Sequence, residues 1–138
     1  MQVLPQKKLT KVTKRMSSSF RAQRQAEEGK PTRYYSNRQE TAVAKAVGGK
    51  KQANSGATQW QKGDVVNDKF LLECKTTTKD QKTFTMHEEW FTKNTQESLM
   101  ENKEYSAVVF SFGPNKPNYY AIDETLFNTL LQYLNEEN

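Results

Sequence analysis

The stretch "YSAVVFSFG", residues 105–113, is almost unbroken in apolar and aromatic residues, in a chain that is otherwise polar. A run of this length bounded by a glycine fits a strand rather than a helix, and lacking polar alternation it has no face to show to water. Such a strand must sit in the middle of a sheet with cover on both sides. Its surroundings supply that arrangement. Gly113 to Pro117 make a turn, and "NYYAID" reads as an antiparallel neighbour. Asp123 can cap a last helix in which Phe127, Leu130, Leu131 and Leu134 recur at helical spacing, which predicts a core-facing element.

Upstream, "YSNRQETAVAKAVGG" predicts a helix capped by Ser36 or Asn37. Ala42, Val43, Ala46 and Val47 form its stripe, Gly48 and Gly49 its stop, and Glu40 stands in its first turn. A loop at Ser55-Gly56 leads to a short strand, Asp64 to Val66. Asn67-Asp68 then turns the chain into a second strand, Lys69 to Thr77. With a two-residue loop Val66 opposes Lys69 and Val65 opposes Phe70. Asp64 then faces the same way as Glu73 and Lys75, with the two acids about 6–8 Å apart at Cβ, while Phe70, Leu72 and Cys74 point into the core. A three-residue loop would turn Asp64 to the opposite side. Thr85 with Glu88 predicts a capping box opening a helix to about Asn102 that carries Trp90, Phe91, Leu99 and Met100. The order helix, strand, strand, helix, strand, strand, helix predicts an α/β fold with a mixed central β-sheet flanked by helices.

Only 34% of the 138 residues are hydrophobic and the mean hydropathy is −0.97, so one compact domain (34–138) with a polar arm (1–33) is expected. No apolar run approaches the roughly 20 residues of a membrane span, and the N-terminal residues lack the apolar stretch of a secretory signal. A soluble, cytoplasmic protein is expected. One cysteine, Cys74, and one histidine, His87, exclude an internal disulfide and supply too few soft ligands for structural zinc, so a metal would have to be hard and oxygen-liganded.

The charge is divided unevenly. Residues 1–62 hold 14 Lys and Arg against 3 Glu, a net +11, while residues 63–138 hold 7 Lys against 13 Asp and Glu, a net −6. A basic half attached to an acidic one suits a polyanion, since each neutralised phosphate releases condensed counterions. Lys7, Lys8, Lys11, Lys14, Arg15, Arg21, Arg24, Arg33, Arg38, Lys50, Lys51 and Lys62 are the candidate DNA-binding residues.

Asp64, Glu73 and Lys75 make the pattern D-x8-E-x-K on a hairpin, preceded by the helical Glu40. Here the sequence resembles the PD-(D/E)XK nuclease superfamily. "NRQETAVAKAVGG", "NSGATQWQKGDVV" and "LLECKTT" look most like Holliday-junction resolvases of the archaeal type and their phage-encoded relatives. The resemblance spans about residues 36–112, and Gly63 stands where the superfamily name has proline. It implies a restriction-endonuclease-like core and a Mg²⁺ ion, with Mn²⁺ able to substitute. Asp64, Glu73 and the backbone carbonyl of Cys74 would ligate the metal, and Glu40 would hold it through water. Lys75 would orient the attacking water, and Ser55 would contact the scissile phosphate.

The expected activity is structure-specific endonucleolytic hydrolysis of branched DNA, a four-way junction first, by a homodimer whose two sites match the near two-fold symmetry of that substrate. Two rivals remain: a restriction-like or repair nuclease acting on linear or nicked duplex, and a nucleic-acid-binding protein without catalysis. Trp60 and Trp90 could stack on bases, though packing roles compete. Neither "EEGKPT" nor "VGGKKQ" completes a P-loop.

Overall fold

The computed structural model describes residues 29–52 and 64–137. Residues 1–28 of the expected N-terminal arm and the Ser55-Gly56 loop lie outside them, while the last residues of the arm, Thr32 and Arg33, belong to the first helix. Among the described residues three helices, α1 (Thr32–Val47), α2 (Glu88–Met100) and α3 (Glu124–Glu136), accompany five strands: β1 (Lys50–Lys51), β2 (Val65–Val66), β3 (Phe70–Lys75), β4 (Tyr105–Phe110) and β5 (Tyr119–Ala121). The strands form one mixed sheet in the order β1-β2-β3-β4-β5, in which β3 and β4 are parallel and the other neighbours antiparallel. The fold is therefore α/β, and the run at 105–110 is central, with Val108 and Val109 fully buried.

Strand alternation divides the sheet into two faces. Val65, Leu72, Ala107 and Val109 meet Val43 and Ala44 of α1, with Phe70 and Cys74 packed beside them. Val66, Leu71 and Val108 occupy the other face, which α2 covers. The parallel β3–β4 pair requires a crossover, and residues 76–104 with α2 provide it.

Helix α1 begins earlier than its sequence suggests. Pro31, in extended conformation, is its N-cap, and the Ser36 hydroxyl donates to the Arg33 carbonyl at 3.1 Å instead of capping. The whole aromatic pair Tyr34–Tyr35 is thereby helical, and Glu40 falls beyond the first turn, where the helix dipole no longer accounts for it. The C-terminus is as expected: Gly48 takes the left-handed conformation (φ 63°), and the Gly49 N–H donates to the Ala44 carbonyl at 2.8 Å.

The β2–β3 loop is displaced by one residue. Asn67 closes it, its side-chain oxygen accepting from the N–H groups of Lys69 (3.0 Å) and Phe70 (2.8 Å), so Asp68-Lys69 are the loop residues. Val65 opposes Leu72 and Val66 opposes Leu71, a shift of two from the expected pairing. An even shift preserves the side on which every residue stands, so Asp64 keeps the parity of Glu73.

Two helical expectations fail. The N-cap of α2 is His87, without a side-chain cap bond; Thr85 lies upstream in an extended stretch held by Phe84, whose ring packs on Phe110 (4.8 Å between centroids). The buried stripe of α2 is polar: Asn94, Glu97 and Ser98 face inward, whereas Leu99 and Met100 are exposed. In α3, Asp123 caps as expected, its carboxylate accepting from the Leu126 N–H at 2.8 Å. Its stripe, however, does not face the core: Phe127, Leu130 and Leu134 are 53, 42 and 46% exposed, Leu131 is half-buried, and the one buried residue of the helix is Leu126.

Candidate active site

The residues Glu40, Asp64, Glu73 and Lys75 come from three elements and interact with one another. Glu73 and Lys75 share the α2 side of β3, with Lys75 Nζ 3.4 Å from Glu73 Oε1. Asp64 immediately precedes β2, and its Oδ2 accepts from the Cys74 N–H at 2.8 Å, where β2 has not yet begun and offers no strand partner. Glu40 lies three residues before the fully buried Val43 on α1, which aims it at the sheet, where its carboxyl hydrogen-bonds to that of Asp64. Lys51 of β1 approaches Glu40 at 4.0 Å.

Burial raises all three carboxyls above the usual range. For Glu40 the charge of Asp64 adds to burial, while Lys51 and Arg33 oppose it. For Asp64 the Cys74 N–H, Lys75 and the bond from Glu40 oppose. For Glu73 the charge of Asp64 adds and Lys75 opposes. Burial, with the charges of Asp64, Glu40 and Glu73, pushes the Cys74 thiol above its ordinary range, which keeps it a thiol and no nucleophile.

This donor set fits a hard cation. Half-buried acids of one charge sign, whose pKa values burial raises, with like charge adding for Glu40 and Glu73, are the groups a divalent ion relieves. Among the described residues no three His, Cys, Asp or Glu side chains are gathered closely enough to hold a metal by themselves. An ion would therefore rest on Asp64 and Glu73, with the Cys74 carbonyl and water completing its shell and Glu40 reaching it through water.

Several predicted residues are not placed. Ser55, Trp60, Lys62, Gly63 and the basic residues at 7, 8, 11, 14, 15, 21 and 24 lie outside the described residues. Arg33 and Arg38 are exposed on α1, and Lys50 and Lys51 on β1. His87 is an exposed cap whose ring packs against Trp90 at 4.7 Å.

Two contacts were not expected from the sequence, which offered Trp90 for base stacking or packing and did not single out Gln39. Trp90 lies under Lys75, whose ammonium is 4.4 Å from its ring centroid, so the lysine is held between Glu73 and an aromatic face. These residues line a cleft of about 340 Å³ with Lys93, Asn94 and Glu97, where the Asn94 side-chain oxygen has no hydrogen-bond partner. Gln39 is the second: its amide nitrogen donates to the Lys75 carbonyl at 3.1 Å, and its oxygen accepts from the Thr76 hydroxyl at 3.0 Å. Only the fold brings either to β3; the sole sequence signal was the adjacency of Gln39 to Glu40.

Comparisons with protein-family models, with curated proteins and with solved structures found no match. No helix among the described residues is long and apolar enough to cross a membrane.

Proposed function

We propose that the protein is a Mg²⁺-dependent, structure-specific endodeoxyribonuclease of PD-(D/E)XK type that cuts branched DNA, with a four-way junction as its substrate. The observation that carries this reading is the meeting of Asp64, Glu73 and Lys75 with Glu40: two raised carboxyls and a lysine beside them, joined by a third raised acid.

Phosphodiester hydrolysis needs positive charge at an anionic phosphorus and a water made more acidic, and a bound Mg²⁺, or Mn²⁺ in its place, supplies both. Asp64 and Glu73 would bind the ion. Lys75 orients the attacking water and neutralises charge growing on the phosphate, and its seat on Trp90 fixes where that ammonium can reach. Glu40, raised by burial and by the charge of Asp64, stands at the site's edge, where it would hold a metal-bound water. The exposed cations of α1 and β1 would meet the DNA backbone, and two chains related by a two-fold axis would make the matched cuts that a junction requires.

The test is cleavage of a synthetic junction, with mapped cuts, against matched linear and nicked duplexes in Mg²⁺ and in EDTA. Symmetric metal-dependent cuts near the crossover support the reading. Equal cutting of linear duplex would favour a restriction-like or repair enzyme. Binding without cutting in either metal would favour a non-catalytic binding protein, a reading helped by the existing partners of Asp64 and Glu73.

A further inference from the structure

Beyond the carboxyl ends of the parallel strands β3 and β4, where ligands of α/β sheets commonly bind, a crevice of about 120 Å³ opens between α1 and the β4–β5 connection. Its floor is built and buried: the hydroxyls of Thr77 and Ser111 lie 2.9 Å apart, Thr77 also donates to the Ser111 carbonyl, and Ser111 donates to that of Gly113. From the α1 side Arg38 reaches across, its guanidinium donating to Asn115 Oδ1 at 2.6 Å. Lys116 stands on the opposite wall, and Asp80, which does not line the crevice, is 3.8 Å from its ammonium. The lining thus has two cations, several amides and hydroxyls, and no carboxylate. The crevice suits a phosphate-sized anion better than a base.

Its position relative to the acids is set by Gln39. The same amide that donates to the Lys75 carbonyl also donates to Asn118 Oδ1 at 3.3 Å, so one side chain ties the crevice wall to the backbone of Lys75. Arg38 and Gln39 directly precede Glu40, and Thr76 and Thr77 directly follow Lys75. Crevice and acid cluster are consecutive stations along the same two segments.

We propose that this crevice seats a DNA backbone phosphate neighbouring the one that is cut, with Arg38 and Lys116 as its charged contacts and the amides of Asn115 and Asn118 as donors. The inference rests on the nuclease reading for the identity of the polymer and adds a contact that fixes the strand's register over Lys75.

The test is binding of fluorescent junction and duplex DNA by the full chain in EDTA across a salt series, for the wild type, Arg38→Gln, Lys116→Ala and the double variant. Thermal melts verify folding, and Lys116→Ala lies in an exposed connection where folding is not at stake. The double variant should bind about 5- to 20-fold more weakly, on junction and duplex alike, and its slope of log affinity against log salt should be shallower by about one, the signature of one lost phosphate. A slope unchanged in the double variant overturns the proposal. The side-chain amide resonances of Asn115 and Asn118 should shift with DNA and not with equimolar inorganic phosphate; response to free phosphate with an unchanged DNA slope also overturns it. The two readings separate cleanly. A wild type that cuts DNA while the double variant keeps its slope removes the crevice alone, and a lost slope unit in a protein that never cuts removes the nuclease alone.

Discussion

Replacing Asp64 by Asn and by Ala separates its two roles. The carboxylate accepts from the Cys74 N–H at 2.8 Å, lies beside the Glu40 carboxyl and sets its charge against that of Glu73. Alanine leaves the Cys74 N–H without its acceptor in a half-buried position, a loss of about 1–2 kcal/mol. Asparagine can offer its oxygen to that N–H and its amide to Glu40, while removing a charge that burial disfavours, so its stability should lie within about 0.5 kcal/mol of the wild type. Over a domain of this size the alanine variant should melt roughly 3–7 °C lower and the asparagine variant within about 2 °C of the wild type. Both variants should lose metal-dependent cutting by about a thousandfold or more, since an amide neither neutralises a cation nor accepts as strongly. Paired melts in EDTA, with junction cleavage in Mg²⁺, decide it. An asparagine variant as unstable as alanine would refute the hydrogen-bond account, and one that still cuts would refute the metal role.

Because the folded-state values of Glu40, Asp64 and Glu73 are raised, the folded protein binds protons more tightly than the unfolded chain between the unfolded value, about 4, and the raised ones. In that window stability should rise as pH falls, and in EDTA this slope should flatten in the Asp64→Asn, Glu73→Gln double variant; an unchanged slope counts against the cluster. Trp90→Leu frees the Lys75 ammonium from its ring and should slow cutting about 3- to 10-fold with little change in DNA affinity, read from single-turnover rates against binding. Phe127→Ser and Leu130→Ser in α3 should each cost under about 1 kcal/mol by urea melt; costs of about 2–4 kcal/mol would mean that the stripe is buried after all.

What the sequence revealed was whatever depends on period and parity. The apolar run at 105–110 had to be central, and Asp64 stays with Glu73 although the loop moved by one residue, because parity survives an even shift. What it hid depends on partners distant in the chain. Nothing local in α2 distinguishes Leu99 and Met100 from core residues, yet Asn94 faces inward because its amide finds the Ala107 carbonyl at 3.1 Å. The stripe of α3 is as regular as any buried helix's, but periodicity reports only that a helix has an apolar side, not that the sheet reaches under it. Trp90 and Gln39 belong to the site only because α2 and α1 fall on opposite faces of β3.

The same geometry explains how a chain with a modest core retains three half-buried acids in one place. Each is held by a group that cannot simply leave: a backbone N–H of β3 for Asp64, a lysine pinned on an aromatic ring for Glu73, Lys51 for Glu40. Those partners offset the repulsion enough for the fold to form without removing it, since burial and like charge still raise all three. A cation would finish the neutralisation, so binding it should stabilise the fold in proportion to the logarithm of its concentration above the dissociation constant. Melts in increasing Mn²⁺ should climb for the wild type and stay flat for the Asp64→Asn, Glu73→Gln double variant. Parallel climbs in both would show that the ion binds elsewhere, and the acids would then be a structural cluster held by their own partners.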